Sequence, residues 1–269
     1  MNILQDDKAL LADTIEITRA AGAEIMAYYH STFEVKDKFP DNPVTDADYA
    51  ADTLLKERLG ARLPQAGWLS EETVDSPERL DRAYVWVVDP LDGTKEFVMG
   101  IPEFSVSVAL VHQGTPLLGV IYNPATKELY TTVRGEGVSL NGEPVTVSDR
   151  AQLRGARVDA SRSEMKRGEF EPFADFIEVN VMGSIAYKLA RVAAGQADAT
   201  WSRGPKNEWD ICAGALLVQE AGGQCVNLDT TPFTFNRPNP KVKGIIASNN
   251  HLYQEVLENL APHGAARTR

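Results

Sequence analysis

Cysteine is nearly absent from this chain. Of 269 residues only Cys212 and Cys225 carry thiols, and they form no CxxC pair. That excludes a disulfide scaffold, and no Cys/His cluster has zinc-ligand spacing. The two thiols read as small buried hydrophobes in a reducing compartment. Long apolar runs are also missing, since no segment reaches the ~18 apolar residues of a membrane span. The start, Met1-Asn2-Ile3-Leu4-Gln5-Asp6-Asp7-Lys8, has neither the basic stretch nor the apolar core of a leader. The expectation is a cytoplasmic protein with no membrane partner. Positive charge is scarce as well: 27 Lys and Arg face 38 Asp and Glu, a net charge of −11. This disfavours a nucleic-acid partner. It would also repel an anionic substrate, unless clustered carboxylates hold divalent cations that face the anion.

What is present is enough to build a core: 43% of the residues are hydrophobic. The length fits one large domain or two closely joined lobes. The spacing of Leu11, Ile15, Ile25, Met26 and Tyr29, with Thr18 and Gly22 between, predicts an amphipathic helix from Asp7 to about Tyr29. A polar loop is expected at Phe39-Pro40-Asp41-Asn42-Pro43. A second helix follows, from Thr45 or Asp46 to about Leu63, with Asp46, Asp48 and Asp52 in its first turns. Trp68-Leu69-Ser70 is a short apolar approach to Glu71-Glu72. Tyr84 to Val88 reads as a buried strand that Pro90 stops after Asp89. Strands are expected at Phe104–Val111, Pro116–Tyr122, Leu129–Thr132 and Gly137–Leu140, with a hairpin turn at Asn141-Gly142. Beyond a junction near Ser148–Arg154 the pattern turns to short strands alternating with helices. Strands are expected at Arg157–Ala160 and Ile245–Ala247, and helices at Ser184–Gly195, Asp210–Glu220 and His251–Leu260. The division is therefore drawn as residues 1–150, an α+β lobe, and 151–269, an α/β lobe. The tail after Pro262 is expected to be disordered.

The chemistry concentrates in Asp89-Pro90-Leu91-Asp92-Gly93-Thr94, with Glu71 upstream and Asp210 downstream. Hard divalent cations take oxygen ligands. Asp89 can bridge two ions, Glu71 completing one site and Asp92 the other, and the Leu91 carbonyl is a further oxygen. Gly93 lets the backbone approach a phosphate. The N–H groups of Gly93 and Thr94, at a helix start, suit an anion. The Thr94 hydroxyl can hold or polarise a water. Two ions about 4 Å apart would stabilise both the attacking and the leaving oxygen of an in-line displacement. Asp-Gly-Thr alone is often only a turn, and a carboxylate before a helix only a cap. The whole string is more specific. Asp46-Ala47-Asp48 does not open a calcium loop, whose sixth position requires Gly where Ala51 stands. Nor is it a haloacid-dehalogenase nucleophile, since no hydrophobic strand precedes it.

Trp86-Val87-Val88-Asp89-Pro90-Leu91-Asp92-Gly93-Thr94 resembles the signature of the inositol monophosphatase-like, lithium-sensitive phosphatases. Trp209-Asp210-Ile211-Cys212-Ala213-Gly214 resembles their second signature, Leu69-Ser70-Glu71-Glu72 their glutamate motif, and Pro43-Val44-Thr45-Asp46-Ala47-Asp48 their amino-terminal motif. All stand in family order across most of the chain. The resemblance implies a layered αβαβα sandwich and two to three Mg²⁺ ions. Glu71, Asp89 and the Leu91 carbonyl would hold the first ion, and Asp89, Asp92 and Asp210 the second. A third, weaker ion would lie near Glu71 and Asp48. Thr94 and Asp48 would orient and activate the attacking water. The partner is then a small phosphate monoester, and the protein a monomer or homodimer.

Within the family, Lys95-Glu96-Phe97 after the Asp-Gly-Thr resembles CysQ-type 3′(2′),5′-bisphosphate nucleotidases, enzymes of sulfur metabolism. Ser161-Arg162-Ser163 and Gly204-Pro205-Lys206-Asn207-Glu208-Trp209-Asp210 do so too. Inositol monophosphatases carry a glutamate about where Arg203 stands, and a guanidinium suits a second phosphate. Lys188, with Ser184 before it, is a further phosphate contact on this reading. It stands five residues after Gly183, where the CysQ type usually has four. The substrate contacts expected are Glu71, Leu91, Asp92, Gly93, Thr94, Ser184, Lys188, Arg203 and Asp210. The leading expectation is conversion of adenosine 3′,5′-bisphosphate to AMP. The alternative is an inositol or other sugar-phosphate phosphatase with the same metal chemistry.

Overall fold

In the computed structural model, which describes residues 7–31, 35–39 and 42–260, the chain opens with helix α1 (Asp7–Tyr28). A hairpin of β1 (Val35–Phe39) and β2 (Asn42–Thr45) leads into α2 (Asp46–Arg62). This hairpin takes most of the expected polar loop; Pro40 and Asp41 lie outside the described residues, as do Met1–Asp6 and the tail after Pro262. α1 falls where its apolar spacing put it, and α2 within a residue of the bounds expected for it. The buried stripe of α1 is Leu10, Thr14, Ile17, Ala21 and Ile25, with Leu11, Ile15 and Met26 half-buried beside it.

The first half continues with β3 (Gly67–Ser70), β4 (Tyr84–Asp92), the single-turn helix α3 (Thr94–Val98), β5 (Ser105–His112) and β6 (Thr115–Asn123). It ends with β7 (Glu128–Val133), β8 (Val138–Leu140) and β9 (Glu143–Val145). Strands β3 to β9 form one seven-stranded sheet in chain order. β3 and β4 are parallel and the rest antiparallel. At the Asn141-Gly142 turn both residues have positive φ, 53° and 90°, as the tight hairpin requires.

The second half supplies β10 (Ala156–Ala160), α4 (Arg162–Lys166), β11 (Ile177–Val181), α5 (Ile185–Ala193) and β12 (Ala199–Ser202). Then come β13 (Lys206–Asn207), α6 (Glu208–Glu220), β14 (Gly223–Val226), β15 (Lys241–Val242), β16 (Ile245–Asn249) and α7 (Tyr253–Leu260). A five-stranded sheet has the order β11-β10-β12-β16-β14, with β10 parallel to both neighbours and β16 antiparallel to both of its own.

Alternation along the strands sorts the layers. On β4, Trp86 and Val88 pack with α1 and α2, whereas Val85 and Val87 pack with α5 and α6. On β16, Ile245 and Ala247 face α5 and α6, while Ile246 faces the Leu252, Val256 and Leu260 side chains at the chain's end. The order of layers is helices, sheet, helices, sheet, helices. Both cysteines lie buried and unbridged in the central layer, where burial pushes both thiols up.

The strand does not stop at Pro90. β4 runs on to Asp92 through an irregularity. Asp89 pairs with Ser107 and Asp92 with Ser105, so Pro90 and Leu91 together oppose Val106. Such a bulge is where a sheet tolerates proline. It has a geometric consequence. Ser105 and Ser107 are two apart and share a face, so Asp89 and Asp92, three apart, share that face too. It is the Val85–Val87 face, toward the second half of the chain.

Candidate active site

Five segments converge at this bulge, the last being the end of β3 with Glu71. The first is the start of α2. Thr45 caps the helix, its hydroxyl accepting the Ala47 N–H at 3.2 Å. Asp48, the third helical residue, closes the box. Its Oδ2 accepts from both the Thr45 N–H and the Thr45 hydroxyl, each at 2.7 Å. Its other oxygen, Oδ1, lies 3.0 Å from the Thr94 hydroxyl. That hydroxyl is also 3.0 Å from the Leu91 carbonyl. Its single proton serves one of these acceptors at a time.

The second segment is the bulge and the turn after it. Asp89 is buried; its Oδ1 accepts the Leu91 N–H at 3.1 Å, while Oδ2 is buried with no hydrogen-bond partner. Gly93 has φ +99°, and a Cβ there would lie 2.7 Å from the Glu103 carbonyl oxygen. The glycine is therefore required by the turn itself and by close packing on residue 103, a reason the sequence did not give. The helix it opens, α3, is a single turn.

The third and fourth segments come from the second half. Asp210 is the third residue of α6, and its Oδ2 accepts the Asn207 N–H at 2.7 Å in another capping box. Asp92 Oδ2 reaches the start of α5, accepting the Ser184 hydroxyl and the Ala186 N–H, both at 2.6 Å. Glu71 follows β3, its N–H donating to the Val88 carbonyl at 3.4 Å. Glu71, Asp89 and Asp210 each bring a carboxylate oxygen to within 4.8 Å of the others.

Packing acids this closely is costly unless protons or cations intervene. Burial, then Glu71, Asp92 and Asp210, push the Asp89 carboxyl well above the usual range. Burial raises Asp92 to about 6, against the Ser184 and Ala186 hydrogen bonds that lower it. Burial, with Glu71 and Asp92, raises Asp210 to about 8. An all-oxygen cluster of acids with one buried, unpartnered carboxylate oxygen fits a hard divalent cation. Glu71, Asp89 and Asp210 bring their oxygens close enough to share it, and Leu91 and Asp92 line the same cleft as Glu71 and Asp210.

Glu71, Leu91, Asp92 and Asp210 form the floor of a cleft of about 300 Å³. The opposite wall belongs to α4, α5 and β13. There Lys188 and Glu164 form an ion pair at 2.9 Å with both side chains 1% exposed. Lys206 lies 4.0 Å from the same carboxylate. Burial alone would raise Glu164, but the two lysines with the Ser202 hydroxyl and the Ser161 N–H hold it far below its usual range. Lys188 thus lines the cleft but is engaged by Glu164. Ser184 lines the cleft as well, with its hydroxyl committed to Asp92. Arg203 does not line it; its N–H donates to Glu169 at 3.3 Å. Glu164 and Lys206 were not singled out from the sequence as site residues. The Ser161-x-x-Glu164 box that starts α4 was the available signal for Glu164.

Layer order and site together define an αβαβα sandwich with a carboxylate cluster suited to a divalent cation where the two halves meet. The chain belongs to the inositol monophosphatase family, whose model matches residues 6–265. An inositol-1-monophosphatase of Mesorhizobium japonicum is 38% identical over 259 residues, covering 93% of this chain and 94% of the relative. The extragenic suppressor protein suhB of Bartonella henselae superposes with a TM-score of 0.85 at 31% identity, covering 94% of this chain and 98% of that one. A staphylococcal IMPase-II solved with 2′-AMP bound superposes with a TM-score of 0.80 at 26% identity, covering 95% of each chain. The family is one of phosphatases.

Proposed function

We propose that the chain is a Mg²⁺-dependent phosphomonoester hydrolase acting on a phosphorylated polyol of the inositol 1-phosphate type. The observation that carries the hydrolase reading is Asp89 Oδ2, buried without a partner at the centre of the acid cluster. The polyol reading is supported by the relative named inositol-1-monophosphatase. It takes precedence over the bisphosphate nucleotidase expected from the sequence.

Bound by Glu71, Asp89, Leu91, Asp92 and Asp210, two to three Mg²⁺ ions would supply positive charge for the phosphate and acidify a bound water. The residues do the rest. The Thr94 hydroxyl, donating to Asp48 Oδ1, keeps its lone pairs for a water and orients it. Asp48 draws the proton as the water oxygen attacks phosphorus. The phosphorus–ester oxygen bond breaks, and the leaving alkoxide takes a proton from solvent water, giving the alcohol and inorganic phosphate. Gly93 and Thr94 line the cleft where the phosphate would sit. Residues 1–150 would bring most metal ligands and 151–269 Asp210 and the opposing wall. The protein would act in the cytoplasm as a monomer or homodimer.

A second reading, the 3′(2′),5′-bisphosphate nucleotidase, is favoured by one specific observation. Lys95 and Lys206 line the cleft beside the Lys188–Glu164 pair, cations suited to a second phosphate. The relative solved with 2′-AMP bound supports a nucleotide in this fold. Assays with inositol 1-phosphate, adenosine 3′,5′-bisphosphate and fructose 1,6-bisphosphate, each with and without Mg²⁺, decide. The highest kcat/KM for inositol 1-phosphate supports the first reading, and for the nucleotide the second. No Mg²⁺-dependent turnover of any of them overturns both. Li⁺ inhibition, implied by the resemblance, is read in the same assay.

A further inference from the structure

Ser184 is one of the non-glycine residues with positive φ, +57° with ψ 110°. Such a conformation costs about 1–3 kcal/mol and persists only where neighbours hold it. Here it has a clear effect. It directs the Ser184 hydroxyl to Asp92 and presents the Ala186 N–H to the same oxygen. The hydroxyl also accepts the Tyr187 N–H at 3.0 Å and lies 3.0 Å from the Ser105 hydroxyl. One strained turn therefore sets the rotation of a carboxylate on the opposite half of the chain.

The restraint comes from the preceding residue. The Gly183 N–H donates to Glu103 Oε2 at 2.9 Å. The Glu96 carboxyl packs against Gly183 so closely that a Cβ there would lie 2.3 Å from Glu96 Cδ. Glu96 and Glu103 both belong to the first half of the chain, and two acids side by side repel. Arg162, at the start of α4 in the second half, resolves this. Its Nη1 lies 2.5 Å from Glu103 Oε2 and 3.2 Å from Glu96 Oε1. The Glu96 and Glu103 side chains are only 10% and 20% exposed, so water screens their repulsion incompletely.

We propose that Arg162 is a positioning residue for Asp92. By neutralising Glu96 and Glu103 it keeps Glu103 on the Gly183 N–H, which holds Ser184 in its left-handed conformation and both donors on Asp92. The joining of the two halves and the metal affinity of Asp92 are then linked through one guanidinium. This rests on the reading of Asp92 as a ligand of a divalent cation. Arg162 touches neither cation nor substrate.

Partners that orient a metal ligand are worth about 10–100-fold in metal affinity or activity. Mg²⁺ binding is measured directly, by titration calorimetry on the full chain, beside a urea unfolding curve. Arg162→Met is expected to weaken Mg²⁺ binding about tenfold. Adding Glu96→Gln in the same chain removes the repulsion that the lost cation neutralised, and is expected to restore affinity to within about threefold of wild type. Arg162→Lys falls between. A purely structural role for Arg162 would lower the unfolding midpoint without rescue by Glu96→Gln. The proposal is overturned if Arg162→Met binds Mg²⁺ as wild type does, or if the double variant does not recover. A wild-type chain that binds no divalent cation overturns the metal-dependent reading itself, an outcome distinct from failure in the variants alone.

Discussion

The Thr94 hydroxyl and Asp48 Oδ1 lie 3.0 Å apart although the residues are 46 positions apart in the chain. The bond joins the capping box of α2 to the turn that follows the β4 bulge. Its position beside the acid cluster makes it the place where an attacking water would be aligned. Thr94→Ala and Asp48→Asn are each expected to lower kcat about 10²-fold with little change in KM, since proton transfer by a positioned group contributes on that order. Steady-state kinetics at saturating Mg²⁺ checks this. A change confined to KM would assign the pair to substrate binding instead.

Asp89→Asn should separate activity from stability. On the proposed reading it removes a central metal ligand, so Mg²⁺ binding and turnover should both be nearly lost. It also replaces a buried acid, whose ionisation burial and its acidic neighbours oppose, with a neutral amide. The metal-free variant should therefore melt higher than metal-free wild type, by about 2–4 °C for each kcal/mol relieved. Calorimetry and thermal unfolding in chelator test the two halves. Retained Mg²⁺-dependent turnover would exclude Asp89 as a ligand.

The stabilisation given by Mg²⁺ should grow with pH. In the metal-free protein Asp92 and Asp210 sit at about 6 and about 8, above their ordinary 3.8. The folded state then holds more protons than the unfolded state between about pH 4 and pH 8. The stability these protons supply is complete below about pH 4 and is lost as pH rises through 6 and then 8. Cation binding releases the same protons and tightens as they leave. The difference in melting temperature with and without Mg²⁺ should rise from about pH 5 to pH 8. A flat or falling difference would contradict the cluster's role.

Lys188→Met should be among the more damaging changes away from the acid cluster. It leaves the Glu164 carboxylate, buried to 1% exposure, with only Lys206 at 4.0 Å. Breaking a buried pair in this way costs about 3–5 kcal/mol. The double variant Lys188→Met with Glu164→Gln should recover most of that loss, because no uncompensated charge remains. Urea unfolding of the single and double variants measures it. A single variant as stable as wild type would mean that water reaches Glu164.

Much of the fold was legible because its elements carry simple periodicities. α1, α2, α6 and the strands β4 to β8 follow apolar spacing and turn chemistry, as at Asn141-Gly142. What failed did so for physical reasons. Pro90 reads as a strand terminator, and only the register against β5 reveals a bulge that accommodates it. β12 and β14 are short, and their Ala, Thr, Gly and Gln residues give no apolar signal until sheet neighbours are known. Among the site residues, Lys188 was legible as a cation on a helix but not as the partner of Glu164, since their pairing needs α4 folded against α5.

The sequence by itself determined which acids and hydroxyls the candidate site can draw on. Acids at 71, 89, 92 and 210, with Asp48 and Thr94, stand in motifs whose local backbone (strand ends and helix caps) orients Asp48, Asp89 and Asp210 through neighbours a few residues away. The tertiary structure decided the rest. Only the bulge puts Asp89 and Asp92 on one face. Only the packing of α5 and α6 onto the first sheet brings Asp210 to Asp89 and Ser184 to Asp92. Only there does Arg162 meet Glu96 and Glu103. These contacts join residues far apart in the chain, and their energies depend on burial and on the summed charge of neighbours, which no local pattern encodes.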